Sequence, residues 1–352
     1  MNVGGIDHEW LRTRLGWPLS GHEEIGVDSV SQSGGLMGGV YRVRCAGRSF
    51  VFKGPPDRVS AWGNLAADTG LMAREVLSYR LLGERGPTAP KIAPACHWSA
   101  LAPDGRGALA LEDLGGQPAS AAVMADGLSR SQAVAAVRCL ALAHSVLAVQ
   151  EADPFTPPYP WLYSATSQGL VAAVRMGLRD LPRLLAERWP ESPPGGESCV
   201  GDADVEAVSA RSHSGAGIVT FCHGDAWAGN ILFAPPGGPA EHPGAFLIDW
   251  QFAMWGNPMS DVALLLLSSL APASREAWQD ELVRHYHATL RRHSAVDYPL
   301  EACRDDLRRA EPFAALVALA TVEAYTSGMD REQLGRFRPR VLAALDLAAI
   351  RG

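Results

Sequence analysis

The chain has 352 residues, of which 47% are hydrophobic, 20% charged and 7% aromatic. That apolar fraction supports a sizeable core and excludes a wholly disordered chain, and at roughly 100–200 residues per domain the length predicts two domains or one domain with two lobes. The formal net charge of −7 argues against a basic nucleic-acid footprint, so no nucleic-acid partner is expected.

Asp7 to Trp17 reads as a short amphipathic helix. Val40 to Cys45 alternates apolar and polar residues, Ala46-Gly47-Arg48 supplies a turn, and Ser49 to Lys53 continues the alternation, which predicts a hairpin. Gly54-Pro55-Pro56 stops the second strand, and 57–70 reads as a loop. Leu71 to Leu82 predicts a helix, ended by Gly83 and by Gly86-Pro87. Ala108 to Leu111 is a short buried strand, broken by Glu112-Asp113-Leu114-Gly115-Gly116, where the lobe boundary is expected. Helical patterns dominate from 118 onward, over 130–150, 166–188, 259–270, 274–292, 300–327 and 330–350. Residues 190–217, rich in Pro, Gly, Ser and acids, read as a mobile insertion. Ile231-Leu232-Phe233 and Phe246-Leu247-Ile248, separated by a Pro- and Gly-rich tip, predict a second hairpin. The sum is an α+β chain, with a β-rich N-terminal lobe over 1–115 and a mostly helical C-terminal lobe over 116–352.

The six cysteines are scattered, with no C-x-x-C or Cys/His finger spacing, so neither a disulfide framework nor a structural zinc is expected. The first residues lack the basic-then-apolar order of a secretory signal. The apolar runs Val262–Leu267 and Phe313–Val322 fall short of the ~20 residues a membrane span needs. A cytoplasmic protein without membrane contact, as monomer or homodimer, is the expectation.

The densest chemical signal is Cys222-His223-Gly224-Asp225-Ala226-Trp227-Ala228-Gly229-Asn230, followed across the second hairpin by Ile248-Asp249-Trp250. The hairpin folds Asp249 back beside Asn230, so three oxygen-bearing side chains can meet. Phosphoryl transfer concentrates charge on phosphate oxygens, and hard divalent cations with oxygen ligands neutralise it. An Asn oxygen and an Asp carboxylate suit magnesium, while a separate Asp can orient an acceptor hydroxyl and take its proton. A second pair is Lys53, ending an apolar strand, and Glu75, flanked on its helix face by Met72 and Tyr79. A carboxylate so placed is partly buried and needs a cation, for which Lys53 is the natural partner. Ahead of the first strand, Ser33, Gly34, Gly35 and Gly38 lie in a glycine-rich stretch whose N–H groups can nest an anion, although its spacing matches neither G-x-G-x-x-G nor a P-loop.

These motifs resemble the aminoglycoside phosphotransferase and choline kinase superfamily of kinase-like small-molecule phosphotransferases. His-Gly-Asp-x-Trp-x-x-Asn looks most like its ecdysteroid kinase-like branch, and the resemblance covers about residues 30–270. It implies a protein-kinase-like two-lobed fold, with a nucleotide-binding N-lobe and a C-lobe carrying the catalytic loop and acceptor site. It implies ATP and Mg2+ as cofactors, Asp225 as catalytic base, and Asn230 and Asp249 as magnesium ligands. It also implies that Lys53, held by Glu75, reaches the α/β-phosphates, and that Glu112 to Leu114 form the hinge whose backbone meets adenine. His223 is expected to brace its loop and Asp261 to cap a helix or bond to the catalytic loop. His144 reads as a satisfied core histidine. The implied activity is transfer of the γ-phosphate to a hydroxyl of a small molecule, whether antibiotic-like, sugar-like or an amino alcohol. The alternatives are a nucleotide-binding pseudokinase with a regulatory role and a protein kinase. The absence of Asp-Phe-Gly, His-Arg-Asp and Ala-Pro-Glu argues against the last.

Overall fold

The computed structural model describes residues 3–30, 39–55, 68–86, 89–115, 120–191, 204–234 and 244–349. The chain forms two compact units, one of residues 1–89 and 93–116, the other of residues 90–92 and 117–352.

The first unit is built on a five-stranded antiparallel sheet in the order β1-β2-β3-β5-β4, with β1 Ile25–Ser29, β2 Gly39–Cys45, β3 Arg48–Gly54, β4 Cys96–Leu101 and β5 Gly107–Glu112. The β2–β3 hairpin turns on Ala46 and Gly47, both at positive φ (51° and 72°), the mirror-type turn whose twist suits antiparallel strands. Arg48 therefore starts the second strand instead of completing the turn, pairing with Cys45. Period-two alternation sends Val43, Cys45, Phe50 and Phe52 into one core, closed by Ala108 and Ala110 of β5 and by Leu11 and Trp17. Leu11 lies on α1 (His8–Leu15), which Asp7 caps by accepting from the Trp10 N–H at 2.7 Å and which Gly16 ends at φ 65°. Lys53, odd-numbered with Val51, points to the opposite face of β3 from Phe50 and Phe52. Helix α2 (Leu71–Gly83) packs against β4 and β5. The expected loop at 57–70 falls largely outside the described residues.

The second unit is helical, with two short strand pairs. Its helices are α3 Ala121–Asp126, α4 Arg130–His144, α5 Gln168–Arg188, α6 Val205–His213, α7 Met259–Ser269, α8 Pro272–His293, α9 Leu300–Ala320, α10 Val322–Tyr325 and α11 Arg331–Ala349. The strands are β6 Thr220–Cys222 paired with β9 Met254–Gly256, and β7 Ile231–Phe233 paired with β8 Ala245–Leu247. Every residue of α7 is buried, its middle run Val262–Leu267 being apolar on all sides and its polar residues lying toward the two ends, and it packs against α8, α9 and α11. The predicted helix over 300–327 is interrupted at Thr321, where φ is −104° and ψ 5°.

The 190–217 stretch departs from its reading as a mobile insertion. Residues 205–213 form α6, capped by Asp204 and buried through Val205, Val208, Ser209, Ser212 and His213. Residues 192–203 lie outside the described residues, as does the tip of the second hairpin. Among the described residues no helix is long and apolar enough to cross a membrane, and Cys45, Cys96, Cys139, Cys222 and Cys303 are free thiols.

Candidate functional site

Strand β6 delivers the chain into the 223–230 segment, which ends in a 3-10 turn at Ala228–Asn230 and continues directly as β7. The β7–β8 pairing then returns the chain, so that the Ile248 N–H donates to the Asn230 carbonyl at 2.9 Å. Asp249 follows in the left-handed region at φ 64°, a conformation Asp tolerates better than most residues. Gly224 is a position only glycine fits. Its φ is 81°, and a Cβ there would lie 2.0 Å from the Phe252 carbonyl oxygen.

This segment brings Asp225 and Asn230 into contact. The Asn230 carboxamide Nδ2 donates to the Asp225 backbone oxygen and to its Oδ2, each at 2.9 Å. Both partners are acceptors, which fixes the amide orientation and turns Asn230 Oδ1 away from Asp225. Among the described residues no hydrogen bond reaches that oxygen. Asp249 is close enough to act on Asp225 electrostatically. Burial first, and the Asp249 charge second, push the Asp225 carboxyl up to about 7, against the pull of the Asn230 hydrogen bond. The set therefore holds a proton-accepting carboxylate near neutrality beside an amide oxygen and a second carboxylate, all hard oxygen donors of the kind magnesium takes.

The support behind this segment is a buried polar chain. His223 Nδ1 accepts from the Asp225 N–H at 3.3 Å, so Nε2 carries the proton and donates to the Ile248 carbonyl at 2.9 Å. Burial lowers its pKa and keeps it neutral. It thus braces both the loop and the end of the returning hairpin, packed on Trp250 with ring centroids 4.7 Å apart. Asp261, in the first turn of α7, accepts from the His223 N–H at 2.6 Å and the Gly224 N–H at 2.9 Å. Burial opposes its ionisation, but the His144 hydrogen bond and the His223 and Gly224 N–H groups hold its carboxyl below the usual carboxylate value. His144 is fully buried and satisfied, with Nε2 3.0 Å from Asp261 and Nδ1 2.9 Å from the Tyr286 hydroxyl. Ligand atoms of His144, Cys222 and Asp261 lie within 4.8 Å of one another. This hydrogen bonding accounts for the histidine and the carboxylate without a cation.

In the first unit, Lys53 and Glu75 form a buried ion pair, with Nζ 2.9 Å from Oε1 and 2.8 Å from Oε2. Glu75 sits on the face of α2 that also buries Tyr79. Glu112 ends β5. Its N–H donates to the Ala95 carbonyl at 2.8 Å and its Oε2 accepts from the Ala95 N–H at 3.0 Å. Leu114 follows in the described residues. Ser33, Gly34, Gly35 and Gly38 lie outside them. One ion pair had no signal in the sequence. Arg42 of β2 meets Asp113 at 2.8 Å, and Asp113 Oδ1 accepts from the Gly115 N–H at 3.0 Å, pinning the segment after β5. Although burial opposes it, the Arg42 guanidinium and the Gly115 N–H hold the Asp113 carboxyl below its ordinary value. The two partners are 71 residues apart, and an arginine in an alternating strand reads as an ordinary exposed position.

Residues 48–296 match the ecdysteroid kinase-like family. The chain belongs to that family. It lies within the superfamily of kinase-like small-molecule phosphotransferases, and its fold is the α+β, protein-kinase-like one, with a small β-rich unit and a larger helical unit. A spectinomycin phosphotransferase, solved with ADP and spectinomycin, is similar to this ecdysteroid kinase-like chain at 12% identity, with a TM-score of 0.51 and coverage of 97% of this chain and 95% of the other. A choline kinase from Streptococcus pneumoniae follows at 16% identity, TM-score 0.49, covering 92% and 94%. An ethanolamine kinase from Plasmodium vivax has 11% identity and TM-score 0.49, covering 91% and 81%. None of the curated proteins matches the sequence.

Proposed function

We propose that this ecdysteroid kinase-like protein is an ATP-dependent O-phosphotransferase that moves the γ-phosphate to a hydroxyl of a small molecule, such as an antibiotic-like, sugar-like or amino-alcohol acceptor. The observation that carries this reading is the Asp225–Asn230 pair. Asn230 spends both amide hydrogens on Asp225, which orients the carboxylate and leaves the amide oxygen available. Asp225, pushed up to about 7, accepts the proton of the acceptor hydroxyl as its oxygen attacks phosphorus. Asn230 Oδ1 and the Asp249 carboxylate would hold magnesium, which when bound neutralises charge on the phosphate oxygens. Lys53, fixed by Glu75, contacts the α/β-phosphates, the glycine-rich stretch of Ser33, Gly34, Gly35 and Gly38 serves the phosphates as well, and the hinge from Glu112 to Leu114 meets adenine through its backbone. The first unit accordingly serves nucleotide binding, and the second serves catalysis and acceptor choice. The proton in this scheme goes from the acceptor to Asp225 and the phosphoryl group from ATP to the acceptor oxygen, leaving ADP.

Release of ADP across a diverse panel of alcohols, with mass detection of an added phosphate, tests this reading. At least one alcohol gains a phosphate in step with ADP. Nucleotide binding with no turnover on any alcohol would instead favour the regulatory pseudokinase, and phosphate on a generic protein substrate would favour a protein kinase.

A further inference from the structure

We propose that Ser269, at the far end of α7 from Asp261, is a positioning residue for the Asp225–Asn230 pair, acting through a directed chain of hydroxyl groups. The proposal rests on the reading of Asp225 as the base. The segment that carries Asp225 is gripped by α7 at both ends. At the N-terminal end, Asp261 takes the His223 and Gly224 N–H groups. At the C-terminal end, Ser269 Oγ takes the Ala228 N–H at 2.9 Å. Ala228 starts the 3-10 turn that contains Asn230, and Asn230 in turn holds Asp225. Ser269 therefore reaches the base through Ala228 and Asn230 without touching it.

The direction of the bonds follows from counting protons. A serine hydroxyl has one hydrogen to give. Ser268 gives its hydrogen to the Leu264 carbonyl at 2.6 Å. The 3.0 Å contact between the two serine oxygens then requires Ser269 to donate to Ser268. Ser269 is left with its lone pairs facing the Ala228 N–H, so the order runs from Ala228 N–H to Ser269, Ser268 and the Leu264 carbonyl. All four residues are buried, so no water competes for these positions. The end of α7 is itself anchored: the Ser269 carbonyl accepts from the Leu128 N–H at 2.8 Å, and the Leu270 carbonyl from Arg340 Nε at 3.0 Å. The grip on Ala228 is thus fixed to a rigid point, as a displacement of catalytic groups by about 1 Å can cost ~100-fold in rate.

The test compares wild type with Ser269→Ala, Ser269→Thr and Ser268→Ala in two measurements: turnover with ATP and an accepted alcohol, and residue-resolved amide hydrogen exchange at Ala228. Ser269→Ala is expected to lower kcat about 10- to 100-fold with the KM for ATP within about twofold, and to speed Ala228 exchange about tenfold or more. Ser269→Thr, which keeps an acceptor oxygen, restores both to within about threefold. Ser268→Ala, which removes the acceptor of the Ser269 proton and the bond to the Leu264 carbonyl but leaves the Ser269 oxygen facing Ala228, gives a smaller loss in the same direction. A Ser269→Ala protein with wild-type kcat and unchanged Ala228 exchange overturns the proposal. So does one that merely melts earlier while its folded fraction turns over normally. Should Ser269→Ala fail to fold, the Thr and Ser268 variants decide, because equal loss in both would contradict the chain of hydroxyls. A wild type without turnover refutes the phosphotransferase reading and with it the positioning role, whereas turnover with unaffected variants refutes the positioning role alone.

Discussion

Replacing Asp225 with Asn should make the protein more stable above neutral pH while removing its activity. In the folded chain the Asp225 carboxyl is pushed up to about 7 from an ordinary 3.8, first by burial and then by Asp249. Below about pH 4 the group is protonated in both folded and unfolded chains and contributes no difference. As pH rises from about 4 to about 7, the unfolded chain releases its proton while the folded chain keeps it, so stability falls across that window and the full cost is present above about 7. Roughly three pKa units at about 1.4 kcal/mol each set an upper bound near 4 kcal/mol. Asp225 is only partly buried, so solvent relaxation around the carboxylate removes about half of that bound. A net stabilisation of about 2 kcal/mol at pH 8 raises the melting temperature by about 4–8 °C for a unit of this size. Thermal melts of both proteins from pH 5 to pH 8, without nucleotide or divalent cation, read this directly. The gap should open with rising pH. A variant that melts below wild type at pH 8, or a gap that does not vary with pH, would contradict the placement of Asp225 beside Asp249 in a poorly solvated pocket.

Other expectations follow from the same geometry. Lys53→Met leaves Glu75 buried without that cation and should cost about 3–5 kcal/mol in a denaturant titration. Adding Glu75→Leu should recover most of that stability but none of the lost ATP use, and recovery of ATP use would remove Lys53 from phosphate binding. Gly224→Ala forces a Cβ onto the Phe252 carbonyl and a strained φ, so loss of more than about 2 kcal/mol and of turnover is expected by melting and ADP release. Asp249→Asn should raise the magnesium concentration needed for half-maximal turnover at least tenfold, and an unchanged magnesium dependence would exclude it as a ligand.

The His223–Asn230 and Ile248–Trp250 blocks were legible because each catalytic candidate is close in sequence to the next, and the intervening hairpin announces itself by two apolar runs around a Pro- and Gly-rich tip. Lys53 and Glu75 were legible for a related reason: a strand end and a flanked helix carboxylate each demand a partner. The residues that hold the site were less so. Ser269 meets Ala228 across 41 positions, and a serine at the end of an apolar helix reads as a cap. Strands β1 and β4 carry little sequence signal because both are sheet edges, with Ile25 to Ser29 mostly exposed and Cys96 to Leu101 only partly buried, so neither shows a clean alternation. Helix α6 hid in a low-complexity stretch because only Val205 and Val208 mark its apolar side, the rest of its buried face being Ser209, Ser212 and His213. The break at Thr321 carries no Gly or Pro, so the helical period ran through it.

The most direct test of the central claim is a single-turnover experiment with γ-labelled ATP on the wild type and Asp225→Asn, each first shown by calorimetry to bind nucleotide. Label should pass from ATP to the alcohol oxygen in the wild type, and transfer should slow by about 10²–10⁴ in the variant at unchanged nucleotide affinity. Equal transfer rates in the two proteins would contradict the role of Asp225, and label appearing only as free phosphate would contradict transfer to a hydroxyl acceptor.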